Sequence, residues 1–352
     1  MYEDAAPHLP ARKAEIFQFE LTEKDLKVSE PLFSIVVACY NHEKFIKDTV
    51  ESALRQQHSS KEVIVIDDAS RDATADILKS FGPSIIFEKL SVNGGAAAAR
   101  NHGASIAKGK YVVFLDGDDI LTPWSLSVYG RIIAERNPKI ILGRSCLFQG
   151  DPPTITASSR PSIRFVEYES FLDKDRSWVY NTSSLVVERA AFTEVGGWSP
   201  EIFYQDIQDF LNKLGAAGRT DMVLEPETVL YRMHSTNAVR KVAPFIEGIY
   251  QLLEKAKQGA YPGGRAARSK RSIWLGGLIF FWGTEGVRNG LFLPGMKLLL
   301  SHWWMVLHAV IRRSSAWIGG RSPIRVLALD PYALESPQDS RPADPLSGKH
   351  SR

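Results

Sequence analysis

Apolar and polar positions alternate in blocks along the first half of the chain. From Phe33 onward, each short apolar run is followed by a stretch in which apolar side chains recur about every 3.6 residues. This order predicts strands separated by helices. The predicted strands are FSIVVACYN, KEVIVIDDAS, SIIFEKL and YVVFLDGDD, and the predicted helices are EKFIKDTVESALRQQ, DATADILKSFG and AAAARNHGASIAKG. Apolar strands that alternate with helices are typical of a parallel sheet covered on both faces.

Polar side chains follow the end of each predicted strand. In a parallel sheet these carboxyl ends lie along one edge, and ligands bind in the crevice beyond that edge. The pattern therefore predicts one crevice that receives side chains from four strands. The candidates are Tyr40, Asn41, Asp67, Asp68, Asn93, Asp116 and Asp118.

The second half of the chain has a looser pattern. It predicts helices at WSLSVYGRIIAERNP and QDIQDFLNKLGAAG, strands at IILGRSCLF, SSLVVERAAF and DMVLEPETVLYRMH, and a loop at 149–162. Beyond about residue 240 the pattern becomes helical. We predict four segments: an N-terminal extension over 1–31 with a strand around Ile16 to Phe19, an α/β domain over 32–240, a helical region over 241–320, and a largely disordered tail over 321–352.

Composition narrows the function classes. Of the 352 residues, 44% are hydrophobic and 24% are charged, as in ordinary globular proteins. A formal net charge of +3 is small for this length and gives no support for a nucleic-acid partner. The first residues carry charges where a secretory signal needs an apolar segment, so we expect the protein to stay in the cytoplasm. Cys39 and Cys146 each lie in an apolar run, which fits small buried side chains.

The segment DGDD at 116–119 follows a predicted strand and is a candidate for metal chemistry. Asp116 and Asp118 are two residues apart. Such carboxylates can share a divalent cation with a diphosphate, because Mg²⁺ and similar ions prefer oxygen ligands and keep positions for phosphate. An Asp-rich turn is also a common structural feature. The segment therefore indicates metal chemistry only together with its surroundings.

Seven motifs in a fixed order surround and include DGDD. They are FSIVVACYN, EVIVIDDASRDAT, NGGAAAARN, YVVFLDGDD, EVGGW, YQDIQD and YRMHSTN, between Phe33 and Asn237. In their order and spacing, the sequence resembles the family-two inverting glycosyltransferases with the GT-A nucleotide-sugar fold. The resemblance implies an α/β fold with a Rossmann-like, mostly parallel central sheet covered by helices on both faces. It makes 32–240 the catalytic domain and 241–320 a helical appendage.

The resemblance also implies roles for individual residues. The nucleotide-sugar site would be formed by Ala38, Tyr40, Asn41, Asp68, Asn93, Gly95, Arg100 and Asp116. In this site, Asp68 would accept a hydrogen bond from the base. Asp118 would bind Mg²⁺ or Mn²⁺, which stabilises the charge that develops on a leaving diphosphate. His234 would complete the metal site or contact the diphosphate, although a lone His more often packs or forms a hydrogen bond.

The acceptor hydroxyl needs a general base, and the resemblance implies which acid supplies it. In the family this is an Asp at the start of a helix after a GG-aromatic segment, which matches Asp206 after EVGGW. A carboxylate at this position is also a good helix cap. The usual Glu before the base is Gln205 here, and the next acid is Asp209, which makes Asp209 the reserve candidate.

Two further positions bear on the site. Trp198 could stack on an acceptor sugar, or could belong to the edge of the core. Ala69 stands where Gly is usual in the family, and we expect this exchange to have little effect.

Two apolar runs mark the C-terminal third, SIWLGGLIFFWG and GLFLPGMKLLLSHWWMVLHAVIRR. A membrane span needs about 20 consecutive apolar residues, and the second run is broken by Pro294, Lys297 and His302, so we predict no span. The Trp and Arg content instead suits helices on an anionic lipid surface, with peripheral contact through 270–320 at the inner face of the cell membrane. A hairpin packed on the catalytic domain, or an oligomer contact, is the alternative interpretation of the same pattern.

The function that the resemblance implies is transfer of a sugar from a UDP-linked donor to a glycan or lipid-linked acceptor, in polysaccharide or cell-envelope biosynthesis. A sugar nucleotidyltransferase is an alternative, but it would be expected to carry a Gly-rich basic loop after the first strand, and ACYNHEKF has no glycine. A non-catalytic nucleotide-sugar-binding module is the other alternative. It would be favoured if Asp206 and Asp209 lay away from the crevice.

Overall fold

A computed structural model describes residues 16–20, 33–58, 60–153, 162–173 and 180–318, with side chains between 33 and 312. The strands are β1 Ile16–Glu20, β2 Phe33–Cys39, β3 Lys61–Asp67, β4 Ile86–Lys89, β5 Tyr111–Asp116, β6 Ile120–Leu121, β7 Ile140–Leu142, β8 Ser145–Phe148, β9 Ser162–Tyr168, β10 Leu185–Glu188, β11 Thr220–Glu225 and β12 Val229–Arg232. The helices are α1 Ile46–Leu54, α2 Thr74–Lys79, α3 Ala96–Ile106, α4 Ser125–Arg136, α5 Arg189–Glu194, α6 Asp206–Leu214, α7 Val242–Lys257, α8 Gly264–Arg288, α9 Phe292–Ser301 and α10 Trp303–Ile318.

A nine-stranded sheet with the order β1-β9-β11-β7-β10-β5-β2-β3-β4 forms the centre of the α/β part. Following the pairings from strand to strand, all of its members run in one direction except β9 and β10, which are antiparallel to their neighbours. The sheet is therefore mixed and mostly parallel, as predicted. A second sheet has the order β6-β12-β8.

Alternate side chains of the central strands enter two different cores, because successive residues of a strand point to opposite faces. On β2, Ile35 and Val37 pack with α1 and α4 on one face, and Val36 packs with α3 and α6 on the other. All three side chains are 0% exposed. The continuous apolar runs of the sequence thus reflect burial on both faces.

The four strands predicted from the first half are confirmed as β2 to β5, and the strand around Ile16 is confirmed as β1. Three predictions for the second half need correction. The run IILGRSCLF forms two strands, β7 and β8, which belong to different sheets, and DMVLEPETVLYRMH is likewise divided between β11 and β12. In SSLVVERAAF the strand ends at Glu188, and α5 begins at the next residue. Strand β9 was not predicted, and most of the predicted loop 149–162 lies outside the described residues, as does the tail over 321–352.

Helices α7 to α10 form a third core around Ile246, Ile249, Leu275, Ile279 and Leu298. Close contacts are made where glycines remove side-chain bulk: Gly276 of α8 lies against the backbone of α10, and Gly283 of α8 faces α9. The helical nature of this region is confirmed. Within the described residues, no helix combines the length and the apolar character that crossing a membrane requires.

Candidate functional site

The strand ends that were predicted to converge lie side by side, since β5, β2 and β3 are neighbours in the sheet. Hydrogen bonds continue the pairing beyond the strands. The Gly117 amide donates to the Ala38 carbonyl at 2.9 Å, and the Asp68 amide donates to the Cys39 carbonyl at 2.9 Å. The DGDD turn and the acidic end of β3 are therefore fixed on either side of β2.

The DGDD turn depends on one glycine and one buried acid. A Cβ at Gly117 would lie 2.5 Å from Nδ1 of His42, so no larger residue fits there without movement. Asp119 is 0% exposed and accepts hydrogen bonds from the Arg232 amide at 3.0 Å and from the Ser183 hydroxyl at 2.5 Å. Burial, with the nearby charges of Asp118 and Asp116, raises the pKa of Asp119 well above its usual value. Asp119 thus holds the turn, and Asp116 and Asp118 face the crevice.

Asp118 meets His234 at the crevice. The Asp118 carboxylate lies 2.9 Å from Nε2 of His234, and both side chains are partly exposed, at 14% and 16%. Burial opposes ionisation of Asp118, but the hydrogen bond from His234 and the charges of His42 and His234 lower the pKa of Asp118. The His234 ring stacks on Phe45 at a centroid distance of 4.7 Å. Residues from β5 and from the segment after β12 are therefore brought together, as the sequence predicted.

The Asp118–His234 pair fits the ligand set of a divalent cation that is shared with phosphate. Nδ1 of His234 is 2.8 Å from the Thr236 hydroxyl, and a second hydrogen bond of this kind orients most metal-binding imidazoles. A carboxylate oxygen and an imidazole nitrogen at 2.9 Å need a proton or a cation between them. No group of three His, Cys, Asp or Glu side chains suited to a metal occurs in the described part of the chain. The remaining ligands would be phosphate oxygens and water, as is usual for Mg²⁺.

Arg100 joins the end of β5 to the start of α6. Its guanidinium donates to Asp116 at 2.7 Å and to Asp206 at 2.6 Å. Arg100 is 4% exposed and stacks over the ring of Trp198 at 4.8 Å. Although burial opposes its charge, the two carboxylates raise the pKa of Arg100 above its usual value. Burial raises the pKa of Asp116 more than Arg100 lowers it. One buried cation thus links the predicted base to the strand end.

The two candidate bases have different surroundings. The Asp206 side chain is 21% exposed at the first residue of α6, beside Arg100. Asp209 is 0% exposed, and its carboxylate accepts hydrogen bonds from Ser199 at 2.6 Å and from Tyr261 at 2.8 Å, with Lys255 at 3.0 Å. An enclosed and fully bonded carboxylate has no surface for an acceptor hydroxyl. The geometry therefore favours Asp206 over the reserve candidate.

The loop before α3 is organised by Asp68. Its two carboxylate oxygens accept hydrogen bonds from the Gly94 amide at 2.8 Å and the Gly95 amide at 2.7 Å, and Asn93 donates to the Asp68 carbonyl at 3.1 Å. Asp68 is 2% exposed. The contacts of Asp68 therefore shape the loop. The predicted contact with the nucleotide base would need one of these two carboxylate oxygens to accept a second hydrogen bond. Tyr40, 37% exposed, remains open to the crevice beside them.

Two residues near the strand ends have left-handed backbone conformations. Asn41 has a φ of 55°, and its side chain accepts from the Arg71 amide at 2.8 Å. Ala69 has a φ of 61°, a region that favours glycine and is strained for alanine. The expectation that alanine has little effect at this position is therefore wrong, because the turn after β3 carries a backbone cost that glycine would avoid.

Trp198 belongs to the core. It is 1% exposed and stacks on Phe210 of α6 at 4.3 Å, with Phe114 of β5 edge-on at 5.2 Å. Its ring is therefore not open to an acceptor sugar, and of its two predicted roles the structural one is observed. Its contribution to the site is indirect, since it forms the floor under Arg100.

Helix α7 supports the segment that leads to Asp206. Gln205 is 1% exposed and donates to the carbonyl of Phe245 at 3.2 Å. A Cβ on Gly248 of α7 would lie 2.7 Å from the Gln205 side chain, so the two segments touch closely. Tyr204, with a φ of 61°, packs against Phe245 at 5.4 Å. The C-terminal region is thus part of the framework of the site.

Two further residues fix the site, and the sequence pointed to one of them. Ser183 links the Asp116 amide, at 3.0 Å, to Asp119, although it lies far away in the chain. Arg232 is buried and donates to the Asp118 carbonyl at 3.0 Å and to Asp48 at 3.0 Å. Arg232 had a signal, since it stands inside the YRMHSTN motif, whereas Ser183 had none.

Comparison with known proteins bears on this geometry. A family profile described as "Glycosyl transferase family 2" matches residues 34–196. The UDP-Glc:alpha-D-GlcNAc-diphosphoundecaprenol beta-1,3-glucosyltransferase WfaP of Escherichia coli is 48% identical over 89 residues, which are 25% of this chain and 36% of WfaP. The poly-beta-1,6-N-acetyl-D-glucosamine synthase of Staphylococcus epidermidis is 32% identical over 185 residues, which are 49% of this chain and 43% of the synthase.

Among solved structures, S. aureus TarS 1–349 in complex with UDP-GlcNAc is similar, with a TM-score of 0.59 and 16% identity over 82% of this chain and 92% of that chain. This likeness shows the fold and confirms the predicted GT-A-like α/β class. The matched segments span less than half the length of either of these two curated relatives.

Proposed function

Because residues 34–196 match the profile of glycosyl transferase family 2, we propose that the chain transfers a sugar from a nucleoside-diphosphate sugar to a hydroxyl acceptor, with inversion at the anomeric carbon. The observation that carries the proposal is the pair of hydrogen bonds made by the Arg100 guanidinium. This group donates to Asp116 of the donor crevice at 2.7 Å and to Asp206 at 2.6 Å. A donor site and a carboxylate base thus share one crevice.

The proposed reaction is a single displacement. Asp206 accepts the proton of the acceptor hydroxyl while the acceptor oxygen forms a bond to the anomeric carbon, and the bond from that carbon to the diphosphate oxygen breaks with its electron pair. A positioned carboxylate base of this kind contributes about 10²- to 10⁴-fold. Arg100 orients Asp206, and the buried neighbours of Arg100 keep its guanidinium in place.

Asp118 and His234 would hold Mg²⁺ or Mn²⁺ in this proposal, and the ion would stabilise the negative charge that the leaving diphosphate gains. The chain's own share is to present one carboxylate and one imidazole at 2.9 Å, with Thr236 and Phe45 fixing the ring.

We expect UDP to be the nucleotide of the donor. The name of WfaP specifies UDP-Glc, and the TarS structure contains UDP-GlcNAc, which makes UDP-sugars the first donors to test. We further propose a glycan or lipid-linked acceptor and a role in polysaccharide or cell-envelope biosynthesis, which the names of the two curated relatives support. The WfaP acceptor, by its name, is a diphosphoundecaprenol-linked sugar.

The alternatives fit the geometry less well. A non-catalytic binding module would have no reason to place a partly exposed carboxylate beside the donor crevice, as Asp206 is placed by its 2.6 Å contact with Arg100. A nucleotidyltransferase would be expected to use a Gly-rich loop after its first strand, whereas β2 is followed by Tyr40, Asn41 and His42.

Product stereochemistry tests the proposal. Purified protein is first screened with UDP- and GDP-sugars for metal-dependent donor turnover, and the product of an α-linked donor is then analysed by nuclear magnetic resonance. A β-linked product is expected, because the acceptor attacks opposite the leaving diphosphate. An α-linked product would exclude a single displacement by Asp206, and an absence of turnover with all donors, including hydrolysis, would favour a binding module.

A further inference from the structure

Helices α8 to α10 carry an apolar surface that nothing within the described chain covers. Of the fourteen large hydrophobic side chains exposed in the described residues, ten lie between 280 and 311. We call them the apolar face: Phe280, Phe281, Phe292, Leu293, Leu300, Trp303, Trp304, Leu307, Val310 and Ile311. The most exposed are Leu293 at 79%, Leu300 at 64% and Trp303 at 62%. Such a concentration of exposed large apolar side chains on three consecutive helices indicates an interaction site.

The apolar face is not a fragment of the core. The inward side of the same helices is already packed, with Leu275, Ile279, Leu298 and Met305 between 0% and 5% exposed. Gly276 also allows α8 and α10 to approach with their backbones in contact. These helices are therefore apolar on the side that packs and on the side that is open, a pattern expected where a second apolar environment covers the outer side.

The sequence that carries the apolar face has an excess of cations. Between Glu285 and Asp330 it has six Lys or Arg residues and no Asp or Glu; of these cations, Arg288 pairs with Glu285 at 2.8 Å, and Arg321 and Arg325 lie outside the described residues. Lys297 is exposed on α9, one turn from both Leu293 and Leu300, so a cation lies within the face itself. A second copy of the chain would bring like charges together, which opposes pairing of two such faces. An anionic surface would instead be attracted.

We propose that the apolar face docks on the surface of an anionic lipid bilayer, with α9 and α10 lying in the headgroup region. Aromatic and aliphatic side chains would enter the boundary of the acyl chains, and Lys297 would face the lipid phosphates. A contiguous chain of rings connects this face to the site: Phe281 contacts Trp282 at 5.1 Å, Trp282 stacks on Phe245 at 4.2 Å, and Phe245 contacts Tyr204 at 5.4 Å. Tyr204 is two residues before Asp206, so docking would bring the crevice near the bilayer.

Co-sedimentation with vesicles tests the docking, and it uses no substrate, so its outcome is independent of glycosyl transfer. The full chain is mixed with phosphatidylcholine vesicles or with equimolar phosphatidylcholine and phosphatidylglycerol vesicles. Strong binding is expected only to the anionic vesicles. Leu300→Ser combined with Trp303→Ser should weaken it at least about tenfold, because much apolar area is lost. Lys297→Gln should weaken it by about fivefold, the effect of one charge near the surface.

Val92→Ser is the matched control, since Val92 is 74% exposed but lies outside the face, and it should leave vesicle binding unchanged. Thermal unfolding verifies that all variants fold. Wild-type protein that ignores anionic vesicles, or that binds uncharged vesicles equally well, would overturn the proposal. A stable dimer in light scattering that the double variant splits, without vesicle binding, would assign the face to a second copy.

Discussion

At the scale of single residues, Asp206 and Asp209 lie one turn apart on α6 and differ in exposure. Asp206→Asn keeps the size of the side chain and its hydrogen bond to Arg100, but removes the basic lone pair. We expect nucleotide affinity and thermal stability to hold, while transfer falls by about 10²- to 10⁴-fold. Calorimetry and initial rates on the same preparation measure the two effects separately.

Asp209→Asn should have the opposite profile. Its carboxylate is fully buried between Ser199, Tyr261 and Lys255, so an amide at this position sets a donor against a buried hydroxyl donor and leaves Lys255 with Glu201, at 3.1 Å, as its carboxylate partner. We expect unfolding to become easier by about 1–3 kcal/mol, with the remaining folded protein active. If Asp206→Asn were fully active and Asp209→Asn were stable but inactive, Asp209 would be the general base instead.

The motifs could locate these acids, but exposure could not be predicted from them. Asp206 and Asp209 look equivalent in YQDIQD, and their difference arises from α7 and the loop at Tyr261, which pack over one of them. Trp198 is a similar case, because its burial depends on Phe210 and Phe114 from two other elements. The strain at Ala69 required the backbone angle itself.

At the scale of elements, α7 fixes the approach to Asp206 through the close contact of Gly248 with Gln205. Gly248→Ala adds a methyl group where only 2.7 Å separates the new Cβ from Gln205, so the segment must shift. A small displacement of a catalytic group lowers rates by about tenfold to a hundredfold. We expect a lower kcat with unchanged nucleotide affinity. Gly130→Ala in α4 is the control, because its Cβ would meet its nearest atoms at an ordinary 3.5 Å and should leave kcat unchanged.

Strand β11 contains a buried acid that makes stability depend on pH. Both carboxylate oxygens of Asp221 are buried without a hydrogen-bond partner among the described residues, and burial raises its pKa to about 7, against the lowering effect of Arg136 and Arg219. The unfolded chain loses this proton near its ordinary value of 3.8, so the folded state holds more protons between these values. Stability should therefore fall as pH rises from about 4 to 7.

Asp221→Asn removes this titration. The free energy of unfolding of Asp221→Asn should exceed that of wild type by an amount that grows as the pH rises through the same window. Above the window the difference should level off, on the order of 2–4 kcal/mol. Denaturant unfolding at a series of pH values measures this difference. A difference that stays constant across the window would mean that Asp221 ionises normally in the folded protein.

The elements themselves were predictable where burial is simple. Strands β2, β3 and β5 are largely apolar because both of their faces are covered, and the pattern alone predicted their positions along the chain. The division of IILGRSCLF into two strands was harder to predict. Nothing in an apolar run indicates the residue at which the chain passes from one sheet to another. The direction of β10, antiparallel to β5 and β7, depends on contacts between distant segments.

At the scale of the whole molecule, the C-terminal helices have two roles, which composition alone could not assign to separate residues. Their inner side packs against the segment that carries the predicted base, and their outer side presents the apolar face. The sequence offered packing and lipid contact as alternatives, because hydrophobic and basic residues suit both. Only the assembled helices separate the inward residues from the outward ones.

The central claim is that the crevice at the end of β5 binds a nucleoside diphosphate together with a divalent cation. Calorimetry of UDP and GDP with Mn²⁺, on wild type, Asp118→Asn and the exposed control Asp76→Asn, tests it most directly. We expect metal-dependent binding that Asp118→Asn weakens at least about tenfold, since a neutral amide replaces a carboxylate ligand. Asp76, 79% exposed on α2, should not matter. Equal affinity of wild type and Asp118→Asn at equal metal would contradict the account.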